Sequence, residues 1–127
     1  MPTKKQPTVL DTQKLKADAL QFDLQREMLP MLERVRGNKS KRTAKTLVKE
    51  GPLRVLIVAL EAGGKLEEHA VGGPFSIQCL LGKAEVTMGK TKKRLATGDL
   101  LVVDAGIPHD VTATDASILL TTITTGD

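Results

Sequence analysis

The chain has no tryptophan and no tyrosine, and Phe22 and Phe75 are its whole aromatic complement. A surface that grips unstacked bases needs rings to lay against them, and this chain has almost nothing on which to stack bases. A single cysteine, Cys79, excludes an internal disulfide. The opening residues MPTKKQPTVL lack the apolar run of a signal peptide, and the longest apolar run, Val55 to Leu60, is too short to span a bilayer. These absences predict a cytoplasmic protein with no membrane partner. There is also no phosphate loop, nucleotide fingerprint, Ser-His-Asp spacing or internal repeat.

Positive charge is present in excess. The formal net charge is +4 and the isoelectric point is near 9.3. Arg34, Arg36, Lys39, Lys41, Arg42, Lys45, Lys49 and Arg54 stand against only Glu33 and Glu50, and Lys90, Lys92, Lys93 and Arg94 cluster in a predicted hairpin turn. With no aromatic residues between them, these cations read as solvated faces, and nucleic acid is not expected as a partner.

At 127 residues the chain has room for one domain with a core of its own. Residues 1 to 10, polar and broken by Pro2 and Pro7, are expected to be disordered. Residues 11 to 37 read as a helical extension capped by Asp11 or Thr12. Its apolar stripe is Leu20, Leu24 and Met28, widened by Phe22, Leu29 and Leu32, with Pro30 ending or kinking it and Gly37-Asn38 closing any helix beyond that proline. From residue 38 to 127 the pattern is β. Seven or eight short strands at regular intervals, separated by Gly-rich turns, argue for an all-β sandwich or barrel. The stretch Leu53 to Ala62 is apolar on both faces, with Val55, Ile57 and Ala59 on one and Leu56, Val58 and Leu60 on the other. Such a strand needs a second cover outside the barrel, either the N-terminal helix or another subunit, and a homodimer is expected.

The only two histidines, His69 and His109, lie one in each of two similar stretches, GGKLEEHAVGGPFSIQCLLG from Gly63 and GDLLVVDAGIPHDVTA from Gly98. Each places an imidazole beside turn-forming Gly or Pro at the end of a strand pattern. The pairing resembles the cupin superfamily, as a small RmlC-like barrel with a degenerate metal motif. In the first motif Gly63, His69 and Gly82 fall on the family's Gly, first His and last Gly, while Val71 and Phe75 hold the places of its second His and its Glu. In the second, Gly98, Gly106 and His109 match, while Asp104 replaces a Pro and Ala113 an Asn. The resemblance covers roughly residues 44 to 125. It implies a double-stranded β-helix, the jelly-roll cupin barrel, carrying the N-terminal α-helical extension.

The resemblance also implies where a site would be. Cupins that bind metal hold it with three His and one Glu, and only His69 and His109 keep such positions here. Two neutral imidazoles hold a divalent transition metal weakly, so any such ion is expected to be lost easily. Cys79 by strand parity, or Glu67 or Glu68 by a loop shift, are the replacements available for a third ligand. The site is therefore read as a small-molecule pocket lined by His69, His109, Val71, Phe75, Ile77 and Cys79 without a full metal centre. Two other readings stand beside it: a metal-dependent enzyme of dioxygenase or isomerase type on the reduced two-His site, and an interaction domain with a vestigial pocket. Cys79 itself reads as a small buried hydrophobe, since no basic residue adjoins it to lower its pKa.

Overall fold

The structure is a computed structural model that describes residues 17 to 125, with Glu68 and His69 placed by their backbone alone. The disorder expected over residues 1 to 10 and the helix start expected at Asp11 or Thr12 lie outside the described residues. Within the described residues the helix, α1, spans Leu24–Arg36, later than the sequence pattern suggests. Asp23 caps it, its carboxylate accepting a hydrogen bond from the Arg26 N–H at 3.2 Å. That cap moves the start past Leu20 and Phe22, which remain exposed ahead of the helix. Pro30 does not end the helix; it lies inside it on the solvent side. An interior proline costs a helix about 3 kcal/mol. Here the cost is offset by burial of Met31 and Val35, each 1% exposed. The buried stripe is thus Met28, Met31, Leu32 and Val35, and Leu29 of the expected stripe faces water.

Nine strands follow among the described residues, with ends within a residue or two of the sequence pattern: β1 Arg42–Glu50, β2 Leu53–Leu60, β3 Lys65–His69, β4 Phe75–Leu81, β5 Lys83–Met88, β6 Thr91–Ala96, β7 Leu100–Val103, β8 His109–Ala113 and β9 Ser117–Thr124. They form two antiparallel sheets, one of five strands in the order β1-β2-β9-β4-β7 and one of four in the order β3-β8-β5-β6. Successive strands cross between sheets at the β2–β3, β3–β4, β4–β5, β6–β7, β7–β8 and β8–β9 connections. This is the double-stranded β-helix. Alternation along each strand fills the space between the sheets with Val58, Leu60, Phe75, Ile77, Cys79, Val86, Val111 and Leu119.

A second apolar layer lies outside the five-stranded sheet. Ile57, Ala59 and Ile118 turn away from the barrel and meet Met31 and Val35 of α1. Of the two covers the doubly apolar strand called for, the helix occupies this face. Its attachment is also polar, through Lys45 of β1 and Glu27 of α1 at 2.6 Å.

The glycines of the two sequence motifs, Gly63, Gly82, Gly98 and Gly106, all sit at positive φ, where a side chain is strained. Gly82 is the most constrained, because a Cβ there would overlap the Ala116 carbonyl and the Ser117 hydroxyl. The glycine framework therefore sets the turns that return the chain from one sheet to the other.

Candidate functional site

The site is built where β3, β4 and β8 end together. On β8, His109, Val111 and Ala113 are buried while Asp110 and Thr112 are not, so His109 belongs to the inward row. It is 2% exposed. The backbone register sets His69 of β3 directly across from His109. That register depends on a bulge. From Leu66 to His69 is three residues, and the facing span from Val111 to His109 is two, so one extra residue is accommodated at Glu67-Glu68. Without it position 69 would fall on the opposite face from Leu66.

The His109 ring is fixed on two sides. Its Nδ1 lies 3.1 Å from the Ile107 carbonyl. A carbonyl oxygen can only accept, so Nδ1 carries the proton and Nε2 is the basic nitrogen of the neutral ring. On its face, Phe75 stacks with ring centroids 4.3 Å apart and planes inclined by 29°. Phe75 is held in turn by pairing with Val103 of β7 and Ile123 of β9. The two loops that flank the site are joined as well, the Gly106 N–H donating to the Val71 carbonyl at 2.8 Å. Val71, half-buried, packs on the barrel core.

Not all residues expected at the site are brought to it. Phe75, Ile77 and Cys79 share the inward face of β4, all buried, as strand parity requires. Four residue steps of strand lead from Phe75 to Cys79, about 13 Å along the axis. Cys79 therefore belongs to the other end of the barrel, which corrects its placement in the pocket. Its thiol donates to the Leu81 and Gly82 carbonyls at 3.5 and 3.4 Å. Burial raises its pKa above the ordinary 9.0, partly countered by a backbone hydrogen bond from Leu81, with the Asp99 charge raising it further. A protonated thiol pointed at two carbonyls is a poor metal ligand, so Cys79 is not the third donor. Ile77 lies between, as barrel core rather than site wall.

The donor set does not fit a complete cupin metal centre. Phe75, which the motif resemblance aligns with the cupin carboxylate, covers one face of the imidazole with hydrocarbon. Among the residues with described side chains, which leaves out Glu68 and His69, no group of three His, Cys, Asp or Glu could hold an ion. What the arrangement offers chemically is an oriented, desolvated imidazole at an apolar barrel end. Sequence reasoning missed the Ile107 carbonyl that orients His109 and the link from Gly106 to Val71. The Ile107-Pro108-His109 run was the available signal, since proline stiffens the turn that carries that carbonyl.

A shallow dent of about 150 Å³ lies at the β5–β6 end, lined by Lys83, Glu85, Arg94, Asp99 and Thr114 among others. Its carboxylates are already engaged: Asp99 accepts from the Ala96 N–H at 2.8 Å and Glu85 pairs with Arg94. It is separate from the His109 site.

No family model and no curated protein matches the chain. Solved structures do. A conserved protein of unknown function from Streptococcus pyogenes is 28% identical with a TM-score of 0.66, over 71% of this chain and 79% of that one. A cupin superfamily protein from Desulfitobacterium hafniense is 19% identical with a TM-score of 0.67, over 76% and 88%. A salicylate 1,2-dioxygenase from Pseudaminobacter salicylatoxidans is 18% identical with a TM-score of 0.67, over 83% of this chain but 34% of that one. The chain has the RmlC-like cupin fold, the double-stranded β-helix. No helix among the described residues is long and apolar enough to cross a membrane.

Proposed function

We propose that the barrel binds a small organic molecule at the end framed by His69, Val71, Phe75 and His109, without a full metal centre. The observation that carries this reading is the Phe75 ring stacked on His109, Phe75 being the residue that the motif resemblance aligns with the cupin carboxylate. A buried imidazole braced by a carbonyl and an aromatic ring suits an apolar ligand with one polar group, such as a hydroxyl that donates to Nε2 or a carboxylate that meets the protonated ring. Position 69 lies across the strand pair in the backbone register, which makes His69 the candidate for a second polar contact.

The test is an NMR screen of chelator-treated protein against small carboxylic acids, phenols and polyols. Shifts gathered at His109, Phe75 and Val111, and abolished by His109→Ala, support the reading. Shifts scattered over the surface, or none from any class, would leave the interaction-domain reading in its place.

A metal-dependent enzyme on the reduced two-His site is the second reading. It is favoured by the Nδ1 contact to the Ile107 carbonyl, the arrangement that orients a ligating imidazole through Nε2. The likeness to a dioxygenase adds only fold. Elemental analysis separates the two: we expect any divalent ion to leave on dialysis against a chelator with the fold intact. A stoichiometric ion that survives that treatment would show that a non-family donor has been recruited, and the metal-independent reading would be abandoned.

A further inference from the structure

Between positions 34 and 42 the chain carries Arg34, Arg36, Lys39, Lys41 and Arg42 with no Asp or Glu among them. All five are exposed, and no ion pair joins any of them to a carboxylate among the described residues. Arg34 and Arg36 stand in the last turn of α1, and the loop into β1 carries the others. That loop is held by its own hydrogen bonds. The Asn38 side-chain oxygen accepts from the Ser40 N–H at 3.0 Å and from the Ser40 hydroxyl at 2.7 Å, and its NH2 donates to the Arg42 carbonyl at 3.0 Å. The Lys41 N–H donates to the Asn38 carbonyl at 2.9 Å, and the Lys41 carbonyl accepts from the Glu61 N–H at 3.0 Å. Lys41 is held there at φ 61°, and it is the one non-glycine residue at positive φ among the described residues. Glycine would adopt that angle without strain, so the backbone is strained to keep a lysine side chain at this place. Strain of this kind points to a side chain that is used. The Lys41 ammonium lies beside the Gly63 turn and the Arg42 guanidinium donates to the Lys65 carbonyl at 3.1 Å, so both are laid along the start of β3, at the end of that strand away from His69.

We propose that this surface grips the phosphate backbone of a nucleic-acid duplex without reading its sequence. The residues between the cations decide the partner. Gly37, Asn38 and Ser40 are small or polar, and Val35 is buried against the barrel. A protein partner would find no apolar or aromatic anchor there, and such anchors carry most of the energy of a protein interface. A lipid surface would find nothing among them to bury. A phosphate backbone needs only cations and small residues that let it approach. The missing aromatic rings bear on single strands, whose bases must be stacked, whereas a duplex hides its bases. A loop already fixed by Asn38 also avoids the ordering that binding would otherwise require. Glu33 precedes the cations and Glu61 adjoins Lys41, which confines the contact to the last turn of α1 and the loop.

Fluorescence anisotropy of the full chain with a labelled duplex of about 20 base pairs should show micromolar binding at roughly 50 mM salt, weakening about a hundredfold by roughly 200 mM, as contact with about four phosphates requires. A single strand of equal length should bind no more tightly. Replacing both loop lysines, Lys39→Gln with Lys41→Gln, should weaken duplex binding about tenfold or more with unchanged far-UV circular dichroism. Lys41→Gly keeps the turn, so its thermal midpoint should equal or exceed that of the wild type while binding still falls severalfold. Lys92→Gln with Lys93→Gln removes the same charge from β6 and should leave affinity within about twofold. Absence of duplex binding at the lowest salt overturns the inference. So does an equal loss from the β6 pair, which would reduce the effect to net charge. Polyglutamate that binds as tightly as the duplex, with the same dependence on Lys39 and Lys41, would also overturn it and assign the surface to an acidic protein.

Discussion

The two sheets turn unlike faces outward. The four-stranded sheet presents Lys65 and Asp110 3.9 Å apart, and Glu85 between Lys92 at 3.8 Å and Arg94 at 3.4 Å, with Thr87 and Thr112 in the same rows. The five-stranded sheet presents Ile57, Ala59 and Ile118, which α1 buries, and then Leu100 and Val102, which nothing among the described residues buries. Both sheets contribute their inner faces to one core, so the difference lies in the outward rows. An antiparallel sheet needs only one covered face, and a second apolar face marks a place where something else attaches.

The largest effect should come from removing the cover. Deleting residues 1 to 36 strips α1 from Ile57, Ala59 and Ile118, and we expect aggregation on purification, detected by light scattering. A soluble, folded barrel after that deletion would erase the contrast between the sheets, since the outer apolar layer would then be dispensable. Met31→Ala is the milder version. Met31 is 1% exposed, and truncation should cost about 3 kcal/mol in urea unfolding, within the usual range for a buried methionine. On the opposite face, Glu85→Ala removes both cation contacts and should cost less than about 1 kcal/mol, because Lys92 and Arg94 are largely solvated.

Most of the barrel was legible in the sequence because it is written in period-two alternation and in glycines whose positive φ no other residue adopts readily. Phe75, Ile77 and Cys79 share the inward face that strand parity assigns them, and Gly63, Gly82, Gly98 and Gly106 occupy turns. The helix was less legible. Leu20, Leu24 and Met28 repeat at four-residue steps, yet Asp23 caps the helix in their midst and Pro30 is tolerated, because tertiary burial of Met31 and Val35 outweighs local propensity. At the site the sequence pattern groups Cys79 with the two histidines. Parity assigns a face and says nothing of distance along the strand, and the separation of about 13 Å from Phe75 to Cys79 is a matter of strand rise. The bulge at Glu67-Glu68 has no signature in alternation, though it sets His69 opposite His109.

The smallest expected effect comes from the shared interior of the two sheets. Burial raises the Cys79 pKa, so the folded chain keeps that proton to higher pH than the unfolded chain does. Its contribution to stability is complete below the ordinary 9.0 and is lost as pH rises through that value toward the raised one. Urea midpoints measured across that interval should fall more steeply in wild type than in Cys79→Ala. Equal slopes would mean that the thiol is less buried than its 0% exposure indicates.

The proposed site is tested most directly by an NMR titration of the two imidazoles in the wild type and in each single His→Ala variant. The backbone register sets His69 across from His109, and two groups that share one ligand, ion or water titrate as a pair. Removing either imidazole should therefore shift the titration of the other, and both should respond to the ligands found by screening. If each curve stays where it was when its neighbour is removed, and neither responds to any ligand, the histidines are independent and the barrel end is not a binding site.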